Sequence, residues 1–246
     1  MRVIIPAAGK GSRLSTSPDA PPKAMYRVGG RPLLEIVLEQ TSFIPPEDTW
    51  IVVGYKQAEI RSYFGGAWHY AEQHEQLGTG HAVMMCAEDF RDYDGTVMVT
   101  FGDMPLFRRE SMKAMCAFHE SNHAACTVMT AYDPELTMWA RVITDERGYC
   151  RKIVEGKDCT PEQARIKELC AGVFVFDSKK LFHYLPKLSS ANVQHEYYLT
   201  EVPELMAADD LPVLTFPTDD KNDLRGINTP ADAVVCEKIL RERGIL

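Results

Sequence analysis

A glycine-containing loop near the N-terminus carries the first residues that could bind an anion. It follows a predicted strand over residues 2–7 and has the sequence Pro6-Ala7-Ala8-Gly9-Lys10-Gly11-Ser12-Arg13-Leu14. Small residues and two glycines let backbone N–H groups approach an anion closely, and Lys10 and Arg13 add positive charge. The loop lacks the third glycine of a dinucleotide-binding fingerprint and the spacing of a Walker A loop. It therefore predicts a phosphate-binding loop of another type, with a simple tight turn as the alternative.

Asp103 and Lys23 are two further residues that could bind a ligand or a metal ion. Asp103 follows a Val-rich apolar run, residues 95–101, which predicts a buried strand. Open α/β sheets bind ligands at the carboxyl ends of their strands, and a carboxylate there suits a hard cation such as Mg²⁺. Lys23, after Pro21-Pro22, is the next basic group. The alternatives are a turn or cap residue for Asp103 and a solvated surface lysine for Lys23.

Alternating strand and helix patterns must position these residues. Strands are predicted over residues 2–7, 49–54, 95–101, 124–132, 140–144, 151–154 and 170–177, and helices over 32–43, 57–64, 78–89, 108–121, 179–185, 197–208 and 230–243. Residues 145–148 predict a hairpin turn, and Thr229-Pro230 predict a helix start. This order predicts an α/β fold with a Rossmann-like, mixed, mostly parallel central sheet flanked by helices. No linker or repeat divides the chain, so we expect a single domain over residues 1–246.

Composition narrows the class of protein. The chain has 246 residues, of which 45% are hydrophobic, and a formal net charge of -8, which disfavours a general nucleic-acid-binding surface. Its apolar runs are too short to span a bilayer or to form a signal peptide, so we expect a cytoplasmic protein without membrane contact. The seven scattered cysteines do not predict a disulfide framework or a zinc site, and most are expected to be buried apolar residues. Whether the chain forms a homo-oligomer stays open.

Several further motifs follow the glycine loop and Pro22-Lys23 in order. They are Gln76-Leu77-Gly78-Thr79-Gly80-His81-Ala82, Phe101-Gly102-Asp103-Met104-Pro105-Leu106, Ile153-Val154-Glu155-Gly156-Lys157-Asp158, Glu196-Tyr197-Tyr198-Leu199-Thr200 and Gly226-Ile227-Asn228. The ordered set resembles the sugar-1-phosphate nucleotidyltransferase (sugar-nucleotide pyrophosphorylase) family over nearly the whole chain. It is similar in particular to the N-terminal uridylyltransferase domain of the bifunctional bacterial N-acetylglucosamine-1-phosphate enzymes, without their left-handed β-helix acetyltransferase domain.

The resemblance implies a nucleotide-diphospho-sugar transferase fold and an enzyme. The reaction would transfer a uridylyl group from UTP, or a thymidylyl group from dTTP, to a sugar 1-phosphate with release of pyrophosphate. Residues 1–110 would mainly bind the nucleotide and residues 111–246 the acceptor. Mg²⁺ would be held by Asp103 and Asn228, and Arg13, Lys23 and Asp103 would be catalytic.

The resemblance also assigns the two binding sites. The nucleotide would contact Ala7, Ala8, Gly9, Gly11, Ser12, Arg13, Gln76, Gly78, Thr79 and Gly102, and the sugar would contact Phe101, Ala140, Glu155, Cys170, Tyr198 and Thr200. The Gln76 amide offers donors and an acceptor that match the imide edge of uracil or thymine. A plain helix N-terminus after Gly78 is the alternative for this stretch.

The acceptor residues depart from the family pattern. Phe101 replaces a tyrosine, Ala140 replaces a glycine, and Cys170 replaces an asparagine, so polar groups are lost at the sugar and not at the nucleotide. Another phosphorylated acceptor, such as a heptose, polyol or amino alcohol phosphate, is therefore the alternative. A non-catalytic nucleotide-binding regulatory module is a third reading. It is disfavoured because Arg13, Lys23, Asp103 and Asn228 are all present.

Overall fold

A mixed β-sheet is the centre of the molecule. The computed structural model describes residues 1–133 and 138–246. Within them the strands are β1 (Arg2–Pro6), β2 (Arg27–Val28), β3 (Arg31–Pro32), β4 (Thr49–Val53), β5 (His69–Glu72), β6 (Thr96–Val99), β7 (Cys126–Tyr132), β8 (Arg141–Thr144), β9 (Cys150–Val154), β10 (Glu168–Asp177) and β11 (Val213–Pro217). The main sheet has the order β11-β7-β10-β6-β1-β4-β5, with β8 and β9 attached through β10. The α/β fold class is confirmed.

Strand direction changes between the two halves of the sheet. In the first half, β6, β1, β4 and β5 are parallel neighbours. β10 then runs antiparallel to both β6 and β7, and β11 is parallel to β7. β10 has a register shift between Cys170 and Phe174, where Gly172 has a φ of +82°. The bulge lies at the wall of the site described below.

Helices cover the sheet. They are α1 (Leu33–Gln40), α2 (Gln57–Phe64), α3 (Thr79–Met84), α4 (Arg109–Ser121), α5 (Ser178–Tyr184), α6 (Val202–Ala208) and α7 (Pro230–Glu242). Alternate residues of β1 belong to different buried clusters, with Ile4 in one and Val3 and Ile5 in the other. Both faces of the strand are therefore in apolar packing, as expected of parallel strands covered on each side. No helix of the described residues is long and apolar enough to cross a bilayer.

Two predicted helices are shorter in the structure. The helix predicted over residues 78–89 covers only Thr79–Met84, and the one predicted over 197–208 begins at Val202, after a 3₁₀ turn. The N-terminal parts of these two predicted helices are hydrogen-bonded to each other. Tyr197 N donates to Leu77 O and Gly80 N donates to Tyr197 O, both at 2.8 Å. Tyr197 therefore pairs with the Gln76–Gly80 region instead of starting a helix.

Other local expectations are confirmed. Gly148 N donates to Asp145 O at 2.9 Å, which closes the predicted hairpin turn. Thr229 caps α7 in a capping box with Asp232, and Pro230 is the first helical residue. All seven cysteines are free, and six are buried. The short strands β2, β3, β5 and β11 were not predicted from the sequence.

Candidate functional site

Asp103 and Asn228 meet at the ammonium group of Lys23. Lys23 Nζ donates to Asn228 Oδ1 at 2.8 Å and to Asp103 Oδ2. Asp103 lies in the loop after β6, and Asn228 directly precedes the Thr229 cap of α7. A backbone hydrogen bond of 3.0 Å from Ile227 N to Asp103 O joins the two segments. Residues that are far apart in sequence thus form one polar cluster.

The glycine loop lies directly against Lys23. Lys23 N donates to Gly9 O at 3.1 Å, and a Cβ on Gly11, where φ is +71°, would lie 3.0 Å from Lys23 Cβ. Glycine therefore permits both the conformation and the close approach at this position. Arg13 is exposed and donates from Nη2 to Asn228 Oδ1 at 2.9 Å. The loop thus brings a second cation to the same amide oxygen.

A cavity of about 230 Å³ lies on one side of this cluster. It is lined by seven of the residues predicted to bind the nucleotide, which are Ala7, Ala8, Gly9, Gln76, Gly78, Thr79 and Gly102. Gly11 and Ser12 do not line it, and Arg13 lines the neighbouring cavity instead. The sequence reasoning missed Gln73, which is buried and donates from Nε2 to Gly78 O at 3.0 Å. Its contact supports the Gln76–Thr79 loop from behind.

A second cavity, of about 520 Å³, lies on the other side of the cluster. It shares four lining residues with the first, namely Lys23, Thr79, Phe101 and Asp103. Of the predicted sugar-binding residues, Phe101, Ala140, Glu155, Cys170 and Thr200 line it. Tyr198 does not line it and belongs to a neighbouring cavity that also includes Glu155 and Thr200.

The second cavity has a fixed aromatic wall that the sequence reasoning missed. Trp139 lines it and donates from Nε1 to Leu224 O at 3.0 Å. The backbone of Met138 packs closely on Gly156, where a Cβ would lie 2.3 Å from Met138 O. In the sequence, the feature that could have indicated a role for Trp139 is its position directly before Ala140, a predicted sugar-binding residue. Lys157 and Gln194 also line this cavity and were not predicted.

Glu155 is a carboxyl group in a protected position within the second cavity. Burial raises its pKa, and the charges of Asp158 and Glu196 raise it further, while a hydrogen bond from Thr200 opposes the shift. That bond runs from Thr200 Oγ1 to Glu155 Oε1 at 2.8 Å. Burial also raises the pKa of Cys170, so its thiol is neutral near pH 7.

The convergence of Asp103 and Asn228 fits a magnesium site. Their side-chain oxygens already lie together around one cation, the Lys23 ammonium. Both are hard donors, and Mg²⁺ commonly takes one or two protein oxygens and the rest from phosphates and water. Among the residues that the structure describes, no group of three or more His, Cys, Asp or Glu side chains is placed to hold a metal ion. Asp103 and Asn228 alone would leave most coordination positions of a Mg²⁺ ion to phosphates and water.

Comparisons with known proteins agree with this architecture. Residues 3–152 match the MobA-like NTP transferase domain, and the chain belongs to that family. It is 38% identical over 240 residues to the bifunctional protein GlmU of Levilactobacillus brevis, a match that covers 98% of this chain and 52% of the relative. The chain thus spans about half the length of the curated relatives it matches. The resemblance seen in the motifs is confirmed at the level of family.

Solved structures share the fold at low sequence identity. A UDP-glucose pyrophosphorylase in complex with UDP-glucose superposes with a TM-score of 0.78 at 15% identity, covering 98% of both chains. A putative glucose-1-phosphate thymidylyltransferase from Bacillus anthracis gives a TM-score of 0.76 at 19% identity, covering 98% of this chain and 95% of the other. Both matches extend over nearly the full chain.

Proposed function

We propose that the chain transfers a uridylyl or thymidylyl group from UTP or dTTP to a sugar 1-phosphate and releases pyrophosphate. One observation carries the proposal. Arg13, Lys23, Asp103 and Asn228 form a single hydrogen-bonded cluster at the boundary of two cavities. Two anionic substrates held in the two cavities would bring their phosphates together there.

The reaction needs alignment and charge neutralisation. A phosphate oxygen of the acceptor attacks the α-phosphorus, forming a new P–O bond, while the bond from that phosphorus to the bridging oxygen breaks and pyrophosphate leaves. The attacking oxygen is already ionised near pH 7, so no general base is required. Positioned cations can supply most of the catalysis in such a displacement.

Lys23 and Arg13 are the proposed phosphate ligands. Lysine is a point charge on a flexible stem, so the Lys23 ammonium can follow the phosphate near the reacting centre. Arg13 is exposed on the glycine loop and presents a fork of donors suited to the leaving pyrophosphate. Asp103 and Asn228 would hold Mg²⁺, which when bound neutralises charge on the phosphates.

The first cavity would bind the base. Gln76 is exposed at its wall, and its Nε2 donates a long hydrogen bond of 3.3 Å to Gln73 O, so its amide can turn to a ligand. A glutamine amide matches the imide edge that uracil and thymine share. Residues 1–110 supply most of this cavity, and only Glu196 of its lining comes from the second half.

The second cavity would bind the acceptor. Glu155 and Thr200 offer oxygens for hydroxyl groups, whereas Phe101, Ala140 and Cys170 present few polar atoms. A sugar with a pyranose-like hydroxyl face is the first candidate. The apolar wall, together with the Trp139 ring, favours a second candidate, namely another phosphorylated acceptor such as a heptose, polyol or amino alcohol phosphate.

A cytoplasmic location stays a prediction, and so does the formation of a homo-oligomer.

A pyrophosphate-release assay over a grid of triphosphates and phosphorylated acceptors tests the proposal. The native protein with Mg²⁺ should turn over UTP or dTTP, and CTP, ATP and GTP should be poor substrates. N-acetylglucosamine 1-phosphate should not be strongly preferred over other sugar phosphates, because the site lacks polar atoms that reject analogues, and a preference above about a thousandfold would contradict this. Cys170→Asn is the matched variant that restores one amide. A strong preference for CTP or GTP would contradict the base assignment.

A further inference from the structure

Asp223 is a fully buried carboxylate that the proposed chemistry does not use. Its Oδ2 accepts hydrogen bonds from Thr218 Oγ1 at 2.6 Å and from Arg108 Nη2 at 3.2 Å. Arg243 Nη2 lies 3.6 Å from its Oδ1. We call Thr218, Asp223, Arg108 and Arg243 the Asp223 cluster. Buried charges of this kind are costly unless they are paired, so their presence requires an explanation.

The Asp223 cluster joins the two segments that carry the proposed metal ligands. One segment runs from Asp103 to Arg108. The other contains Asp223 and ends at Asn228. The segments are thus joined by Arg108 and Asp223 at one end, and by the 3.0 Å bond from Ile227 N to Asp103 O at the other. The separation of the proposed ligand oxygens therefore depends on both connections.

Arg243, which follows α7, adds a third support. It donates from Nη1 to Leu106 O in the first segment and from Nη2 to Asp220 Oδ2 at 2.6 Å in the second. Leu224, next to Asp223, accepts the indole hydrogen bond of Trp139 from the acceptor cavity. The cluster therefore neighbours the backbone position that holds the Trp139 ring.

We propose that Asp223 is a positioning residue for the Asp103 and Asn228 oxygens, an inference that rests on the proposed function. Loss of its charge removes the buried partner of Arg108 and Arg243, and the Gly226–Asn228 stretch is then free to shift. Outer partners of metal ligands typically contribute about 10–100-fold to metal affinity or activity, because they orient the ligands. The expected defect is therefore in metal binding and turnover, beyond any loss of stability.

Asp223→Asn and Asp219→Asn form a matched pair for the test. Both aspartates pair with Arg108, but the side chain of Asp219 is 85% exposed and that of Asp223 is 0% exposed. Mn²⁺ is titrated into each variant with UTP present, and free Mn²⁺ is followed by electron paramagnetic resonance below the melting temperature. Asp223→Asn should bind Mn²⁺ about 10-fold or more weakly and lose a similar factor in kcat. Asp219→Asn should match the native protein in both.

Thr218→Val is the milder variant if Asp223→Asn does not fold. It removes the 2.6 Å hydrogen bond to Asp223 and the 3.1 Å hydrogen bond from Arg108, but it keeps the Asp223 carboxylate paired with Arg108, and it should weaken Mn²⁺ binding in the same direction. The inference is overturned if the folded variants bind Mn²⁺ and turn over within about twofold of the native protein, even with a lowered melting temperature. Failure of the proposed function is distinct, because the native protein itself would then release no pyrophosphate.

Discussion

The Lys23 ammonium contacts both of the oxygens proposed to hold Mg²⁺, so it competes with the metal for them. Two cations cannot share the same ligand oxygens without strong repulsion. The flexible lysine stem allows the ammonium to turn towards phosphate when a triphosphate and its metal bind. This makes the charge of Asp103 important in both arrangements.

Asp103→Asn should therefore lower turnover far more than it lowers nucleotide affinity. The variant keeps the size of the side chain but removes one charge from the metal site, and loss of one such group typically costs about 100-fold or more in kcat. Steady-state kinetics at saturating UTP, with UTP binding measured by calorimetry, separates the two effects. Turnover near the native rate would show that Asp103 does not hold the metal.

Glu155→Gln should make the protein more stable near neutral pH while weakening acceptor binding. Burial raises the pKa of Glu155 above its value of about 4.3 in unfolded chains. The stability contributed by its neutral form is present below that value and is lost as pH rises through the folded-state pKa. Glutamine stays neutral, so it removes this loss and can still accept the Thr200 hydrogen bond.

Thermal unfolding of native and Glu155→Gln protein between pH 4 and pH 8 measures the effect. The melting temperature of the variant should exceed the native one at pH 8, where the buried native carboxyl group carries its charge. The difference should shrink towards pH 4. A gain that is equal at all pH values, or a loss at pH 8, would show that ionised Glu155 is not destabilising.

At the scale of elements, the Gln76–Gly80 segment depends on its contact with Tyr197. Gly78 has a φ of +115°, and a Cβ there would lie 2.5 Å from Tyr197 O. Leu199 N also donates to Thr79 Oγ1 at 3.0 Å. This wall of the first cavity therefore packs against the Tyr197–Leu199 segment.

Gly78→Ala should displace this wall and weaken UTP binding by about 10-fold or more, since a methyl group cannot fit beside Tyr197 O. Gly148→Ala is the control, because Gly148 also has positive φ, at +80°, but open space around its Cβ position. Both variants should lose some stability through backbone strain, and only Gly78→Ala should lose UTP affinity in calorimetry. Equal UTP affinities would mean that the Gly78 contact does not shape the cavity.

Local sequence predicted the elements that are buried and periodic, but not those that depend on distant partners. The strand before Asp103 was predictable because residues 97–99 form a buried apolar run, and α7 was predictable from its cap. β5, with the sequence His-Tyr-Ala-Glu, lacks such a pattern and is a strand because it pairs with β4. Tertiary pairing decided these cases over local propensity.

The same limit applies to the candidate site. Asp103 and Lys23 could be proposed from their neighbours in sequence, and Asn228 from the resemblance. Trp139 and Asp223 could not, because their partners Leu224 and Arg108 are 85 and 115 residues away in sequence. No short motif encodes such contacts.

At the scale of the whole molecule, the two cavities meet at the ends of the central strands. A 3.0 Å hydrogen bond from Gly102 N to Pro6 O joins the loop after β6 to the last residue of β1, which places the glycine loop beside Asp103. This is the carboxyl edge where open α/β sheets bind ligands. β10 continues the sheet towards β7 and β8, and its bulge brings Cys170 and Gly172 to the second cavity.

The polar cluster is proposed to join two phosphates, one from each cavity, into one diphosphate. Phosphorus NMR of the native protein with Mg²⁺, UTP and the best acceptor from the grid follows every phosphate at once. Equal amounts of pyrophosphate and a uridine diphosphate ester should form, and Asp103→Asn should slow both by about 100-fold or more. Formation of UDP and orthophosphate instead, or no diphosphate ester with any acceptor, would contradict the account.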